Sequence, residues 1–143
     1  MGMIANERQY QHTRKQIVEL EHLLASVVAG TAGDDGFRDI QKAALDGQLA
    51  DLHEEIMEYE NLRSGAVTVI ESASLSGLPD ALIKARIARG WTQADLAEAL
   101  GVAEQQVQRY EASRYRGASF ARLCDVAAAL QANVSETITL RAS

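Results

Sequence analysis

Three groups of side chains in this 143-residue sequence could do chemistry. The first is His53, Glu54, Glu55 and Glu58, in the stretch LHEEIMEYE. Imidazole and carboxylate groups close together on a helix are metal ligands. The stretch lacks the second histidine of a zinc-protease helix, and His12 and His22 fall in a different segment. A solvated acidic face accounts for it better than a metal site. The second is Cys124, the sole cysteine, which excludes an internal disulfide. It sits in ARLCDVAAAL with no activating neighbour, so a small buried thiol on an apolar helix face is expected. The third is basic: Lys84, Arg86 and Arg89 form one cluster, and Arg109, Arg114 and Arg116 another. Clustered cations of this kind attract anions.

The charge around these groups is uneven. The chain carries a formal net charge of -6. Residues 1–76 hold six basic and thirteen acidic side chains, and residues 77–143 hold eight and seven. The isoelectric point near 5.0 would argue against nucleic acid only if the charge were uniform. No apolar run approaches the ~18 residues of a membrane span, and MGMIAN opens neither a signal peptide nor a myristoylation motif. A reducing cytoplasm is the expected setting. One proline and an abundance of Ala, Leu, Glu and Gln favour helices, so the fold class expected is mainly α.

The elements that position these groups follow from periodicity. Tyr10, Thr13, Ile17, Leu20, Leu24 and Val27 recur at three and four, a coiled-coil-like seam on one helix face. GTAGDDG, residues 30–36, then supplies strong turn chemistry. Leu45, Leu49, Leu52, Ile56 and Tyr59 form a second seam, which ends at Gly65, a suitable C-terminal cap. Residues 1–65 thus read as an antiparallel helical hairpin. Its seam is thin, which points to a partner, either another copy or a different protein.

Residues 66–78 read as a short strand and a linker. Val67, Thr68, Val69 and Ile70 are β-branched, and Thr137, Ile138, Thr139 and Leu140 suggest a second strand near the end. A lone strand is not stable. Either the two pair, within a chain or across a dimer, or each is an extended tail.

From residue 79 onward, helix signals follow one another closely. Pro79 fits a first helical position, with Leu82, Ile83 and Ile87 on one face up to Gly90. Thr92 and Asp95 make a shortened capping box for a helix that runs to Leu100. Gly101 permits a left-handed turn. A third helix covers about 104–112, and Ser119 caps a fourth that faces Leu123, Val126, Ala127 and Leu130 inward.

Residues 80–134 resemble the lambda/Cro-type (XRE) helix-turn-helix domain. The run Thr92-Gln93-Ala94-Asp95-Leu96-Ala97-Glu98-Ala99-Leu100-Gly101-Val102, followed by Val107, Tyr110 and Glu111, carries the resemblance. Ala97 matches the family's small residue at the helix crossing, and Arg86 and Glu111 match an Arg–Glu pair tying the first helix to the third. The resemblance implies a four- to five-helix lambda-repressor-like domain over residues 79–143. It also implies roles. Glu104, Gln105, Gln106 and Arg109 would reach base edges, where Gln pairs with adenine and Arg with guanine. Gln93, Arg114 and Arg116 would meet phosphates. Two departures stand out. Ala103 replaces the usual Ser or Thr cap of the recognition helix, and Glu104 brings a carboxylate toward DNA.

Three functions compete on this reading. The first is a sequence-specific regulator, a repressor acting as a homodimer on double-stranded DNA. The alternative is an antitoxin, because the layout is similar to HigA-type antitoxins and an acidic hairpin would suit a basic toxin. The third, an enzyme, finds no nucleophile–base pair, phosphate loop or metal cluster in the sequence. No cofactor is implied.

Overall fold

The computed structural model describes residues 2–30 and 35–142. Among them are six α-helices and no strand: α1 (Glu7–Ala29), α2 (Asp35–Arg63), α3 (Leu78–Ala88), α4 (Gln93–Leu100), α5 (Glu104–Ala112) and α6 (Phe120–Ala129), with a short 3-10 turn at Leu75–Gly77 before α3. The chain divides into two compact units, Met1–Asn61 and Leu62–Ser143.

In the first unit, α1 starts where Asn6 Oδ1 accepts the Gln9 N–H at 2.9 Å, while Gln9 Oε1 accepts the Ala5 N–H at 2.8 Å. This reciprocal cap satisfies two backbone donors at the helix start. The helices run antiparallel. The Tyr10 and Tyr59 rings lie 5.2 Å apart, the Tyr10 hydroxyl donates to Glu60, and His53 Nε2 stands 3.9 Å from Glu21. The expected seam is the observed one. Tyr10, Thr13, Ile17, Leu45, Leu49 and Tyr59 are buried, and Leu20, Leu24, Val27, Leu52 and Ile56 are half-buried. Of the turn expected at 30–36, residues 31–34 lie outside the described residues, and Asp35 and Gly36 already belong to α2. Gly65, at φ +80°, follows the end of α2 as expected.

In the second unit the four expected helices form within a residue or two of their sequence signals. The core is closed by Ile83, Leu96, Val107, Val126 and Leu130, all fully buried. Two expectations fail. Residues 66–71 and 137–140 form no strand. A strand needs a neighbour for its backbone groups, and neither segment meets one among the described residues; Val69, Ile138 and Leu140 remain exposed. Cys124 is exposed rather than buried. Val126 and Leu130 set the inward face of α6, and at 100° per residue Cys124 points some 200° away from Val126.

Candidate nucleic-acid interface

Local signals set where the helices of the helix-turn-helix begin and end. Asp95 N–H donates to Thr92 Oγ1 at 3.1 Å, and Thr92 N–H donates to Asp95 Oδ2 at 2.8 Å. The Thr92 backbone bond holds the Asp95 carboxyl below the usual carboxylate range. After α4, Gly101 adopts φ 71° and ψ 32°, a conformation that a Cβ would oppose. That turn sends α5 across α4. Ala97 is buried on one side of the crossing and Val107 on the other. Ala103 stands at the N-cap of α5 with an extended backbone and no side-chain bond. The recognition helix therefore starts without the side-chain acceptor that α4 and α6 possess.

A buried polar network fixes the other end of α5. Arg86 Nε lies 2.7 Å from Glu111 Oε2, and Arg86 Nη2 lies 2.8 Å from Glu111 Oε1. The pair is a bidentate fork, the strongest geometry available to these groups. Arg86 Nη1 also donates to the Trp91 carbonyl at 2.7 Å, and Gln93 Nε2 donates to Glu111 Oε1 at 2.9 Å. The side chains of Arg86 and Glu111 are 3% and 1% exposed. Burial of both charges is tolerable only because the donors and acceptors meet. The result joins α3, the start of α4 and the end of α5.

The outward face of α5 contrasts with this. Glu104, Gln105 and Arg109 are exposed and Gln106 is half-buried, while Val107 and Glu111 turn inward. Gln105 and Arg109 stand one turn apart with no side-chain bond to the described residues. Gln108, which the sequence reading passed over, is exposed beside them, with Nε2 3.3 Å from Glu104 Oε1. Its place one turn after Glu104 was the available signal.

The candidate phosphate residues are placed less uniformly. Arg116 is exposed. Arg114 is paired with Asp80 of α3 at 2.7 Å, both side chains partly exposed. Gln93 is 6% exposed, with its amide engaged by Glu111. Of the other basic cluster, Arg86 belongs to the core network, and Arg89 Nη2 donates to the Leu130 carbonyl at 2.5 Å and to the Gln131 carbonyl at 3.2 Å. These two arginines hold the fold together rather than offering charge to an anion.

A family model described as "Helix-turn-helix" matches residues 82–136. The C-terminal unit is a helix-turn-helix domain of the lambda/Cro (XRE) type. Such domains are the DNA-binding parts of transcription regulators, not enzymes. The match begins inside α3, takes in α4 to α6, and leaves the hairpin unassigned. No curated protein and no solved structure matches the chain. No described helix is long and apolar enough to cross a membrane.

Proposed function

We propose that this protein is a sequence-specific transcriptional repressor that binds double-stranded DNA as a homodimer. The observation that carries the reading is the contrast between the two sides of α5. One side is locked by Val107 and Glu111, and the other presents Gln105 and Arg109 with no side-chain bond to the described residues. In the major groove, Gln105 pairs with adenine, Arg109 with guanine, and Glu104 accepts from a cytosine amino group, with Gln106 beside them. Arg116 meets phosphates, while the Gln93 side chain, buried with its amide on Glu111, stays in the core network. One such helix reads few bases, so a dimer reads two half-sites about one helical turn, roughly 34–36 Å, apart. The acidic hairpin stays away from the duplex because its excess of carboxylates is repelled.

Selection of bound duplexes from a random pool tests this. A two-fold-symmetric site with half-sites one turn apart is expected, together with a dimer by light scattering. No enriched site, or a 15.5 kDa monomer at tens of micromolar, contradicts it.

One feature favours a second role for the same chain. Leu20, Leu23 and Leu52 line a groove on the hairpin, with Glu19, Asp51 and Glu55 around them. An apolar floor within an acidic rim suits a basic protein, as in an antitoxin that also represses its own operon. Co-expression with the product of the adjacent reading frame tests it. Co-purification that Leu20→Asp abolishes supports the role, and passage of the two proteins as separate species counts against it.

A further inference from the structure

The turn between α5 and α6 contains two consecutive non-glycine residues in the left-handed region, Arg114 and Tyr115, each at φ 55°. L-residues resist this conformation, and it persists where surrounding contacts over-determine it. Two anchors do so here. The Tyr115 ring is buried and stacks on Tyr110 at 5.4 Å with 15° between the planes. Burial pushes its phenol pKa well up, and the hydroxyl finds no hydrogen-bond partner among the described residues. Packing, not polar bonding, therefore holds that ring. The second anchor is Arg114 Nη1, 2.7 Å from Asp80 Oδ1 in the first turn of α3. Two residues beyond Arg114, Arg116 is exposed with no side-chain bond to the described residues.

Building on the DNA-binding reading above, we propose that Arg114 is a positioning residue and not a phosphate contact. Its pair with Asp80, with the buried Tyr115 ring, holds the left-handed turn that sets where Arg116 stands beside α5, and Arg116 makes the phosphate contact. The family resemblance puts Arg114 and Arg116 in the same role; the geometry separates them.

The rival is that Asp80 masks an Arg114 that would otherwise bind phosphate. Asp80→Asn distinguishes the two by sign. Removing a carboxylate near a polyanion tightens binding if only charge matters. It loosens binding if the pair positions Arg116. Fluorescence anisotropy on a random-sequence duplex across a salt series is the readout. Expected for Asp80→Asn is a roughly 3- to 10-fold loss, with the salt slope flattened by ~1, as for Arg116→Gln. The charge-swapped Asp80→Arg/Arg114→Asp variant restores the pair and recovers most of the affinity. Circular dichroism melts identify any variant that fails to fold. In that event the charge swap alone decides, because a carboxylate at position 114 abolishes binding if that position touches phosphate.

Tighter binding by Asp80→Asn, or no change, overturns this inference while leaving the DNA reading intact. A wild-type protein with no salt-dependent duplex binding overturns both.

Discussion

In the hairpin, α1 and α2 share a single seam that runs from buried Tyr10 and Tyr59 to half-buried Leu20, Leu24, Leu52 and Ile56. In the helix-turn-helix unit, Ile83, Leu96, Val107, Val126 and Leu130 are at most 1% exposed. Helix number explains the difference. Two helices touch along a line, so Leu20, Leu24, Val27, Leu52 and Ile56 of the seam keep a side open to water and none of its buried members is as fully enclosed as the five core residues of the other unit. Three or four close around a volume, and side chains within it are enclosed. An enclosed volume can also hold the Arg86–Glu111 pair, because α4 supplies Gln93 and the turn before it supplies the Trp91 carbonyl to complete the bonding. The hairpin holds nothing of that kind among its described residues. It offers apolar surface with an acidic margin, and it is there that a partner is expected.

The sharpest way to break this contrast is to open the buried network. Arg86→Ala strands the Glu111 carboxylate and should destabilise the C-terminal unit by ~3–5 kcal/mol. Urea denaturation followed by Trp91 fluorescence reads it, and an unchanged midpoint would show that the pair is solvated. Next comes a matched pair of leucines. Leu96→Ala should fall near the top of the ~2–5 kcal/mol range for such truncations and Leu49→Ala near the bottom, because a half-open seam relaxes or hydrates. Equal losses would mean that the hairpin is enclosed as fully as the core.

A gain should follow from the missing cap. Ala103→Ser gives α5 the acceptor that Thr92 gives α4, and should add ~1 kcal/mol by the same denaturation assay. No gain would indicate that the α5 start is already satisfied.

The smallest effect is one of pH. The Asp95 carboxyl titrates below its ordinary value because it accepts the Thr92 N–H. A depressed folded-state pKa stabilises the protein above the unfolded value, near 3.9, and that contribution is lost as pH falls through the folded value. The stability difference between wild type and Asp95→Asn should therefore be constant above about pH 5 and shrink below pH 4. A difference that stays level down to pH 2 would remove the carboxylate from the capping box.

How much of this could be read from the sequence varies with how local the signals are. Thr92, Asp95, Gly101 and Ser119 each act within four residues, so α4, the turn and the start of α6 were legible directly. The hairpin seam was legible because its period repeats over many turns. The failures are non-local. Val67–Ile70 and Thr137–Leu140 have the propensity of strands, but pairing depends on a neighbour that no local pattern supplies. Cys124 lies among apolar residues in sequence, yet Val126 and Leu130 decide which face of α6 turns inward. The Asp80 partner of Arg114 lies 34 residues away, and the αL pair at 114 and 115 contains no glycine to announce it. The outward set Glu104, Gln105 and Arg109 came from resemblance, and Gln108 beside them did not.

The proposed division of labour is that α5 reads bases while the α5–α6 turn grips the backbone. It is tested most directly by titrating Gln105→Ala and Arg116→Ala against the selected site and against random duplex over a salt series. Gln105→Ala should lose ~1–3 kcal/mol on the selected site and little on random DNA. Arg116→Ala should weaken both about equally and flatten the salt slope by ~1. Equal losses on both duplexes for Gln105→Ala would remove α5 from base reading, because a residue that weakens every sequence alike does not read bases.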